Sequence, residues 1–203
     1  MSGYAAVILA GGAARRLGGA AKPLLPVGGR PMLDRVLAAV ADAAVTVVVG
    51  PVGLAVPPGV LRVSEEPPGG GPVAALAAGL AAAGRERDTD TVAVLAADLP
   101  FLTPKAIGNL RAVLDRSTVD GAVFVDETGR RQTLCGVWRT AALRRRLDDT
   151  RDATGAETTG HHGAALKNLI AGLRIQEIRD TGQPPPWYDC DSPDDLDRAR
   201  RWS

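Results

Sequence analysis

The residues with the clearest chemical potential lie near the start of the chain, where an apolar run leads into a loop rich in glycine and positive charge. The glycines of this loop are Gly11, Gly12, Gly18 and Gly19, and its cations are Arg15, Arg16 and Lys22. Because glycine has no Cβ, such a loop lets backbone N–H groups approach a phosphate. Guanidinium and ammonium groups then supply positive charge for the phosphate oxygens. The loop therefore predicts binding of a nucleoside triphosphate.

The spacing within this loop excludes two common phosphate-binding motifs. A Walker A loop has Ser or Thr directly after its lysine to hold Mg²⁺, whereas Lys22 is followed by Pro23. A Rossmann loop reads G-x-G-x-x-G and needs an acidic residue about 20 residues further on, near the end of the second strand. The second predicted strand, residues 45–49, is followed by Gly50 and Pro51 and offers no carboxylate for a ribose.

A carboxylate follows another predicted strand. Asp98 comes just after the apolar run 91–96 and precedes Pro100. Ligands of open α/β sheets bind beyond the carboxyl ends of the strands, so we expect Asp98 and the glycine-rich loop to face one crevice. A carboxylate at this place suits Mg²⁺ that bridges triphosphate oxygens. The structural alternative is an Asp that caps a turn at the end of the strand.

Two further acidic sites stand out. Asp189 and Asp191 alternate along an extended stretch, so their side chains share a face, and one of them is expected to complete the metal site. Glu65 and Glu66 follow a short predicted strand, and this pair is the candidate for base recognition. A carboxylate accepts two parallel hydrogen bonds from the N1–H and N2–H₂ edge of guanine, and cytosine cannot offer that pair.

The composition bounds the fold and the partners. The 203 residues are 45% hydrophobic but only 3% aromatic, which fits one α/β domain, residues 1–203, with a core of Ala, Val and Leu. A net charge of +1 provides no field to attract nucleic acid, so none is expected as a partner. The chain has no apolar stretch long enough to cross a membrane, and a cytoplasmic location is expected. Cys135 and Cys190 have no metal-like spacing and are expected to be reduced.

Strands and helices alternate along the sequence, which predicts a mostly parallel sheet covered by helices on both faces. The predicted strands are residues 4–9, 45–49, 61–63, 91–96, 121–125, 133–138 and 173–178. One predicted helix begins at Pro31 and another at Pro104. Three more span 73–83, 139–147 and 164–171. The last predicted helix begins with a capping box from Ser192 to Asp195. Residues 149–163 are expected to be irregular, with His161 and His162 as surface loop residues.

Three motifs carry a resemblance to a known family. Leu9-Ala10-Gly11-Gly12 with Arg16, Gly18-Gly19 and Lys22 resembles the signature of nucleotidyltransferases with a glycosyltransferase-A-like fold, and in detail that of the molybdenum cofactor guanylyltransferases. Leu17 replaces the usual Met, and Ala21 stands where many members carry Asp. Asp98-Leu99-Pro100 resembles the magnesium-binding motif of the family. The stretch from Tyr188 to Leu196 resembles its closing motif, in which many members carry Asn at the two Asp positions.

The resemblance implies one three-layer α/β/α domain with a mostly parallel sheet and a specific reaction. That reaction transfers GMP from GTP to the terminal phosphate of molybdopterin, with Mg²⁺ as cofactor and release of pyrophosphate. Implied partners beyond these substrates are proteins that insert the molybdenum cofactor or apoproteins of molybdoenzymes.

The resemblance also assigns roles to residues of this chain. Those implied as catalytic are Arg16, Lys22 and Asp98. Those implied to bind the nucleotide are Leu9, Ala10, Gly11, Gly12, Lys22, Glu66, Gly71 and Asp98. Asp98 and Asp189 are implied to bind the metal. Arg131, Gln132 and Asp191 are implied to bind the acceptor, since the strand that begins Arg131-Gln132-Thr133 resembles one that commonly faces it. A solvated basic turn is the equally simple interpretation of Arg130 and Arg131.

Other functions fit the same residues. A related transferase with another base or acceptor is one alternative, such as a molybdopterin cytidylyltransferase or a guanylyltransferase that acts on phospholactate. A nucleotide-binding partner that does no chemistry is the alternative from a different class.

Overall fold

A computed structural model of the chain describes residues 3–11, 21–66, 68–154 and 166–203. The strands within these residues are β1 (Ala5–Leu9), β2 (Pro26–Val27), β3 (Arg30–Pro31), β4 (Val45–Val49), β5 (Leu61–Val63), β6 (Thr91–Ala96), β7 (Gly121–Val125), β8 (Arg131–Arg139) and β9 (Ile175–Ile178). The α-helices of the same ranges are α1 (Met32–Ala39), α2 (Pro72–Glu86), α3 (Pro104–Arg116), α4 (Thr140–Thr154), α5 (Leu166–Leu169) and α6 (Pro193–Trp202), and a 3₁₀ turn spans Lys22–Leu24.

Seven of the strands form one sheet in the order β5-β4-β1-β6-β8-β7-β9. Strand β8 runs antiparallel to both of its neighbours, and every other pairing in this sheet is parallel. Strand β1 lies in the interior of the sheet between β4 and β6, where Leu9 is in register with Val49 on one side and Ala96 on the other. The predicted mostly parallel sheet is therefore confirmed, and the ends of β1, β4 and β6 lie at one edge.

The side chains of β1 alternate between two helical layers. Ile8 packs into the cluster that contains α1 and α3, with Leu33 and Leu110 among its members. Val7 packs into the opposite cluster that contains α2, α4 and α5, with Leu76 among its members. This alternation follows from the period of two in a strand, and it produces the predicted three layers.

The boundaries of several elements differ from the predicted ones. Pro31 was expected to begin a helix, but it pairs with Pro26 in the small β2–β3 sheet and precedes α1 with an extended ψ of 141°. The fixed φ of proline suits either position, so the residue alone does not set the boundary. Helix α4 extends to Thr154, so the predicted irregular segment 149–163 begins in a helix, and its remainder from residue 155 lies outside the described residues.

Two predicted helix caps are present. Oγ1 of Thr103 accepts a hydrogen bond from the backbone N–H of Ala106, 3.1 Å away, at the start of α3. Ser192 and Asp195 form the reciprocal capping box that begins α6. Each cap satisfies N–H groups that the first turn of a helix leaves without partners. Among the helices described, none combines the length and the apolar character that a membrane span requires.

Candidate active site

A cavity of about 1150 Å³ opens at the edge of the sheet where β1, β4 and β6 end. Its lining combines strand ends, the loops that follow them, the start of β8 and the segment before α6. The lining includes Leu9, Ala10, Gly11, Lys22, Glu65, Gly71, Asp98, Gln132, Cys135, Trp187, Asp189 and Asp191.

The position of the first loop follows from backbone hydrogen bonds that continue beyond the strands. The N–H of Ala10 donates to the carbonyl of Val49 at 2.7 Å, and the N–H of Ala97 donates to the carbonyl of Leu9 at 3.1 Å. These bonds hold the beginning of the glycine-rich loop beside the residue that precedes Asp98. The two segments therefore meet in one crevice, as the carboxyl-end rule for open sheets predicts.

Lys22 links two of the predicted acidic residues. Its ammonium forms an ion pair with Oδ2 of Asp98 and a second one with Oδ1 of Asp191, 2.7 Å away. The side chains of Lys22 and Asp98 are only 18% and 15% exposed, whereas Asp191 is 75% exposed. Burial alone would lower the pKa of Lys22, but the two carboxylates outweigh burial and raise this pKa above its usual range. Lys22 therefore stays protonated at neutral pH.

Asp189 lies in the same acidic surroundings. Desolvation of its carboxyl group, followed by the charges of Asp191 and Asp98, raises the pKa of Asp189 to about 6. At neutral pH the three carboxylates carry more negative charge than Lys22 offsets, which favours a bound cation. Within the described part of the chain, no group of three or more His, Cys, Asp or Glu side chains is arranged to hold a metal ion. Mg²⁺ commonly takes only one or two carboxylates together with substrate phosphates, so Asp98 and Asp189 suit it chemically.

The two glutamates after β5 occupy different places. Glu65 lines the cavity, and its Oε1 accepts a hydrogen bond from the N–H of Gly69 at 2.9 Å. Glu66 is exposed and is not part of the described lining. Gly71, which was expected to bind the nucleotide, lines the cavity at the start of α2 with a φ of 89°, a conformation that favours glycine. The cavity wall thus contains Glu65, whereas Glu66, the residue expected to contact the nucleotide, lies outside the described lining.

The two polar residues that begin β8, Arg131 and Gln132, also lie in different places. Gln132 lines the cavity, as expected for an acceptor-binding residue. Nε of Arg131 is paired with Oε1 of Glu177 at 2.8 Å, and Arg131 is not part of the described lining. Adjacent side chains of a strand point to opposite faces, which accounts for the different places of the two residues. The contact expected between Arg131 and an acceptor phosphate stays a prediction.

Aromatic side chains flank the acidic residues. The rings of Phe101 and Tyr188 lie 6.0 Å apart, and Trp202 contacts both at 5.8 and 5.0 Å between centroids. This cluster connects the loop after Asp98 with the segment that carries Asp189 and Asp191. Trp187 lines the cavity and packs on Phe124, with 5.2 Å between ring centroids. Sequence reasoning missed Trp187, although it directly adjoins the motif that begins at Tyr188, and between the two glutamates after β5 it favoured Glu66 over Glu65.

The remaining predicted residues divide into two sets. Leu9, Ala10 and Gly11 line the cavity beside Lys22. Gly12, Arg15, Arg16, Gly18, Gly19, His161 and His162 lie outside the described residues. The catalytic role expected for Arg16 and the nucleotide contact expected for Gly12 therefore stay predictions.

A family model described as the MobA-like NTP transferase domain matches residues 6–166. Among curated proteins, no sequence matches the chain significantly. Several solved structures share its fold. Molybdopterin-guanine dinucleotide biosynthesis protein A from Archaeoglobus fulgidus superimposes with a TM-score of 0.71 at 17% identity, over 97% of each chain.

Two cytidylyl enzymes are also similar in structure. For 2-C-methyl-D-erythritol 4-phosphate cytidylyltransferase from Thermus thermophilus, the TM-score is 0.64 at 20% identity, over 96% of each chain. For 4-diphosphocytidyl-2C-methyl-D-erythritolsynthase from Anaerococcus prevotii, it is 0.67 at 10% identity, over 98% of this chain and 97% of that one. At these identities the likeness establishes a common fold, and the choice of base and acceptor must come from the site itself.

Proposed function

Because this chain belongs to the MobA-like NTP transferase family and is a nucleotidyltransferase, we propose that it transfers GMP from GTP to the terminal phosphate of molybdopterin. The products are pyrophosphate and the guanine dinucleotide form of the cofactor. The observation that carries the proposal is the ion pair of Lys22 with Asp98 in a cavity whose wall also presents Glu65. It combines a cation for phosphates, a carboxylate for a metal and a carboxylate for guanine.

The reaction requires positioning and charge neutralisation more than proton transfer. An oxygen of the acceptor phosphate attacks the α-phosphorus of GTP in line, a new P–O bond forms, and the bond to pyrophosphate breaks with its electron pair. The attacking oxygen is already anionic, so no strong general base is required. Lys22 offsets the charge that develops on the departing pyrophosphate, and Arg16 is expected to assist it. The backbone at Ala10 and Gly11 lines the nucleotide side of the cavity.

Magnesium fits the acidic residues of the cavity. Asp98 would hold the ion together with Asp189, since hard carboxylate oxygens are its preferred protein ligands. When bound, Mg²⁺ supplies positive charge to the triphosphate oxygens. Lys22 pairs with Asp98 and Asp191 in the protein alone, so its ammonium must exchange at least one carboxylate for phosphate when the nucleotide binds.

The choice of GTP over CTP rests on Glu65. Its carboxylate lies in the cavity wall on a loop that Gly69 braces, where it can accept the paired donors of the guanine edge. The likeness to cytidylyl enzymes concerns the fold alone, so it does not decide which base Glu65 contacts.

The proposal is tested by incubating the protein with GTP, Mg²⁺ and molybdopterin and searching for the dinucleotide by mass spectrometry. A parallel reaction contains CTP, and an Asp98→Ala protein serves as the control. We expect the guanine dinucleotide from the wild type alone. A product only with CTP would identify a cytidylyltransferase. Binding of GTP without pyrophosphate release with any acceptor would identify a non-catalytic partner.

A further inference from the structure

The turn between β7 and β8 is organised around the carboxylate of Asp126. Its Oδ1 accepts hydrogen bonds from the N–H and the hydroxyl of Thr128, at 2.9 and 2.6 Å, and from the N–H of Arg130 at 3.0 Å. The turn is closed by bonds from the N–H of Asp126 to the carbonyl of Arg130 and from the N–H of Gly129 to the carbonyl of Asp126, both 3.0 Å. These donors, led by the hydroxyl of Thr128, lower the pKa of Asp126. Asp126 is therefore an ionised group that only accepts hydrogen bonds at neutral pH.

The other oxygen of Asp126 fixes the orientation of the Gln132 amide. Oδ2 lies 2.9 Å from Nε2 of Gln132, and the carbonyl oxygen of Arg130 lies 3.4 Å from the same nitrogen. A carboxylate and a carbonyl accept hydrogen bonds and donate none, so the –NH₂ side of the amide must face them. An amide orientation is often ambiguous, but here the chemistry of both partners determines it.

This orientation leaves the oxygen of the amide for the cavity. Gln132 lines the cavity, and no described residue donates a hydrogen bond to its Oε1. The neighbouring residue Arg131 pairs with Glu177 and is not part of the described lining, so it does not add a donor beside this oxygen. The cavity wall at the start of β8 thus presents an oxygen that can accept a hydrogen bond, and Asp126 holds this oxygen in place.

We propose that Oε1 of Gln132, oriented by Asp126, selects acceptor substrates that offer an N–H or O–H donor to it. This inference rests on the proposed transferase function and deepens it. The substrate class is a phosphate ester that also carries such a donor, as the N–H groups of a pterin do. An acceptor whose only polar groups are a phosphate and a carboxylate, such as phospholactate, would place two acceptor oxygens in apposition and is disfavoured. Gln132 is the specificity-determining residue, and Asp126 is its positioning residue.

The first test removes the amide. Gln132→Leu should lower kcat/KM for molybdopterin by about tenfold, the loss typical of one neutral hydrogen bond, and leave KM for GTP unchanged. Gln176→Leu is the matched control, because Gln176 is exposed on β9 and its amide bonds the backbone of Glu177. That control should change neither constant. Thermal unfolding of both variants verifies that they fold.

The second test reverses the polarity of the wall. In Asp126→Asn, the amide oxygen of the new residue continues to accept from Thr128 and Arg130, and its –NH₂ faces Gln132. Because the contact with residue 126 is the shorter of the two, at 2.9 Å against 3.4 Å for the carbonyl of Arg130, Gln132 then turns its oxygen toward the new donor and presents its own –NH₂ to the cavity. The ratio of kcat/KM for molybdopterin to that for phospholactate should fall by about tenfold or more. A merely structural role for Asp126 would weaken both acceptors alike and leave this ratio unchanged.

A spectroscopic readout needs no acceptor. The side-chain amide of Gln132, assigned by its disappearance in Gln132→Leu, should exchange its protons with solvent more slowly than Gln176 in the wild type. In Asp126→Asn it should exchange as rapidly as Gln176. Equal exchange in wild type and variant would overturn the inference.

The two proposals fail in distinguishable ways. If the wild type makes no guanine dinucleotide from molybdopterin, the proposed function fails. The acceptor preference is then decided by calorimetric binding of molybdopterin and phospholactate to wild type and Asp126→Asn. Wild-type protein that binds phospholactate as well as molybdopterin, or an unchanged ratio in the variant, would overturn the inference about Gln132 alone.

Discussion

Nζ of Lys22 lies 2.7 Å from Oδ1 of Asp191, although 169 positions separate the two residues in the chain. The same ammonium pairs with Asp98, so one cation joins the end of the glycine-rich loop, the end of β6 and the segment before α6. Because these three segments bring different functional groups, their convergence defines the site more than any one motif does.

Replacing Lys22 by Ala should reduce kcat by about 10²-fold or more, because it removes a donor aimed at charge that develops as pyrophosphate leaves. Pyrophosphate release with GTP and molybdopterin measures the effect. Lys167→Ala is the control, since Lys167 is exposed on helix α5 and is not part of the described cavity lining. A Lys22 variant within about threefold of the wild type would contradict the role given to this ammonium.

Asp98→Ala should nearly abolish turnover, because Asp98 is the only carboxylate in the segment from residue 97 to 102. The same substitution should raise the Mn²⁺ concentration needed for half-maximal binding of the metal with a non-hydrolysable GTP analogue, measured by electron paramagnetic resonance. Asp148→Ala, at an exposed position of α4, is the control. Turnover close to the wild-type value would exclude a metal role for Asp98.

Glu65→Gln should lower kcat/KM for GTP by about tenfold or more and leave that for CTP unchanged, because it removes charge-assisted hydrogen bonds to guanine. The adjacent Glu66→Gln is a matched control, as the structure leaves Glu66 outside the described cavity lining. Steady-state kinetics with both nucleotides give the ratio. An effect confined to Glu66→Gln would restore the assignment that the sequence alone favoured.

Asp120→Asn should cost about 1 kcal/mol of unfolding free energy at pH 7, because Oδ2 of Asp120 accepts hydrogen bonds from the backbone and the guanidinium of the exposed residue Arg174. Burial alone would raise the pKa of Asp120, but the bonds from Arg174 lower it below the ordinary 3.8. Because the folded-state pKa lies below that of the unfolded chain, the contribution is present above about pH 4. It is lost as the pH falls further.

Urea unfolding of the wild type and Asp120→Asn between about pH 7 and pH 3 measures this dependence. The difference between the two proteins should shrink below about pH 4, and Asp148→Asn should show no comparable trend. A difference that stays constant with pH would mean that the Asp120 charge is not involved.

Gly79→Ala should destabilise the fold by about 1–3 kcal/mol, because a Cβ at Gly79 overlaps Cγ1 of Val7 where α2 lies against the sheet. Gly108→Ala on α3 should stabilise it by up to about 1 kcal/mol, since a Cβ there meets no atom within 4 Å and alanine favours a helix. Urea unfolding compares the two. Equal effects would show that local helix propensity, and not the contact with β1, decides both.

Sequence reasoning located several strands from short apolar and β-branched runs, and the structure reproduces 45–49, 61–63, 91–96 and 121–125 without change. It also brought Lys22 and Asp98 together, because the carboxyl ends of parallel strands meet at one edge. It did not separate Gln132 from Arg131 or Glu65 from Glu66. Which member of a polar pair faces a ligand depends on strand register and loop conformation, and tertiary pairing sets both.

The reversed direction of β8 has a consequence for how such enzymes diversify. Its first residues, not its last, reach the cavity, and they arrive there through the turn around Asp126. The part of the cavity in which we propose that the nucleotide binds is formed, in contrast, by the ends of the parallel strands β1, β4 and β6. If the proposed function holds, changes in the exposed turn between β7 and β8 can adapt the enzyme to new acceptors during evolution while the strand ends that receive the donor nucleotide are preserved.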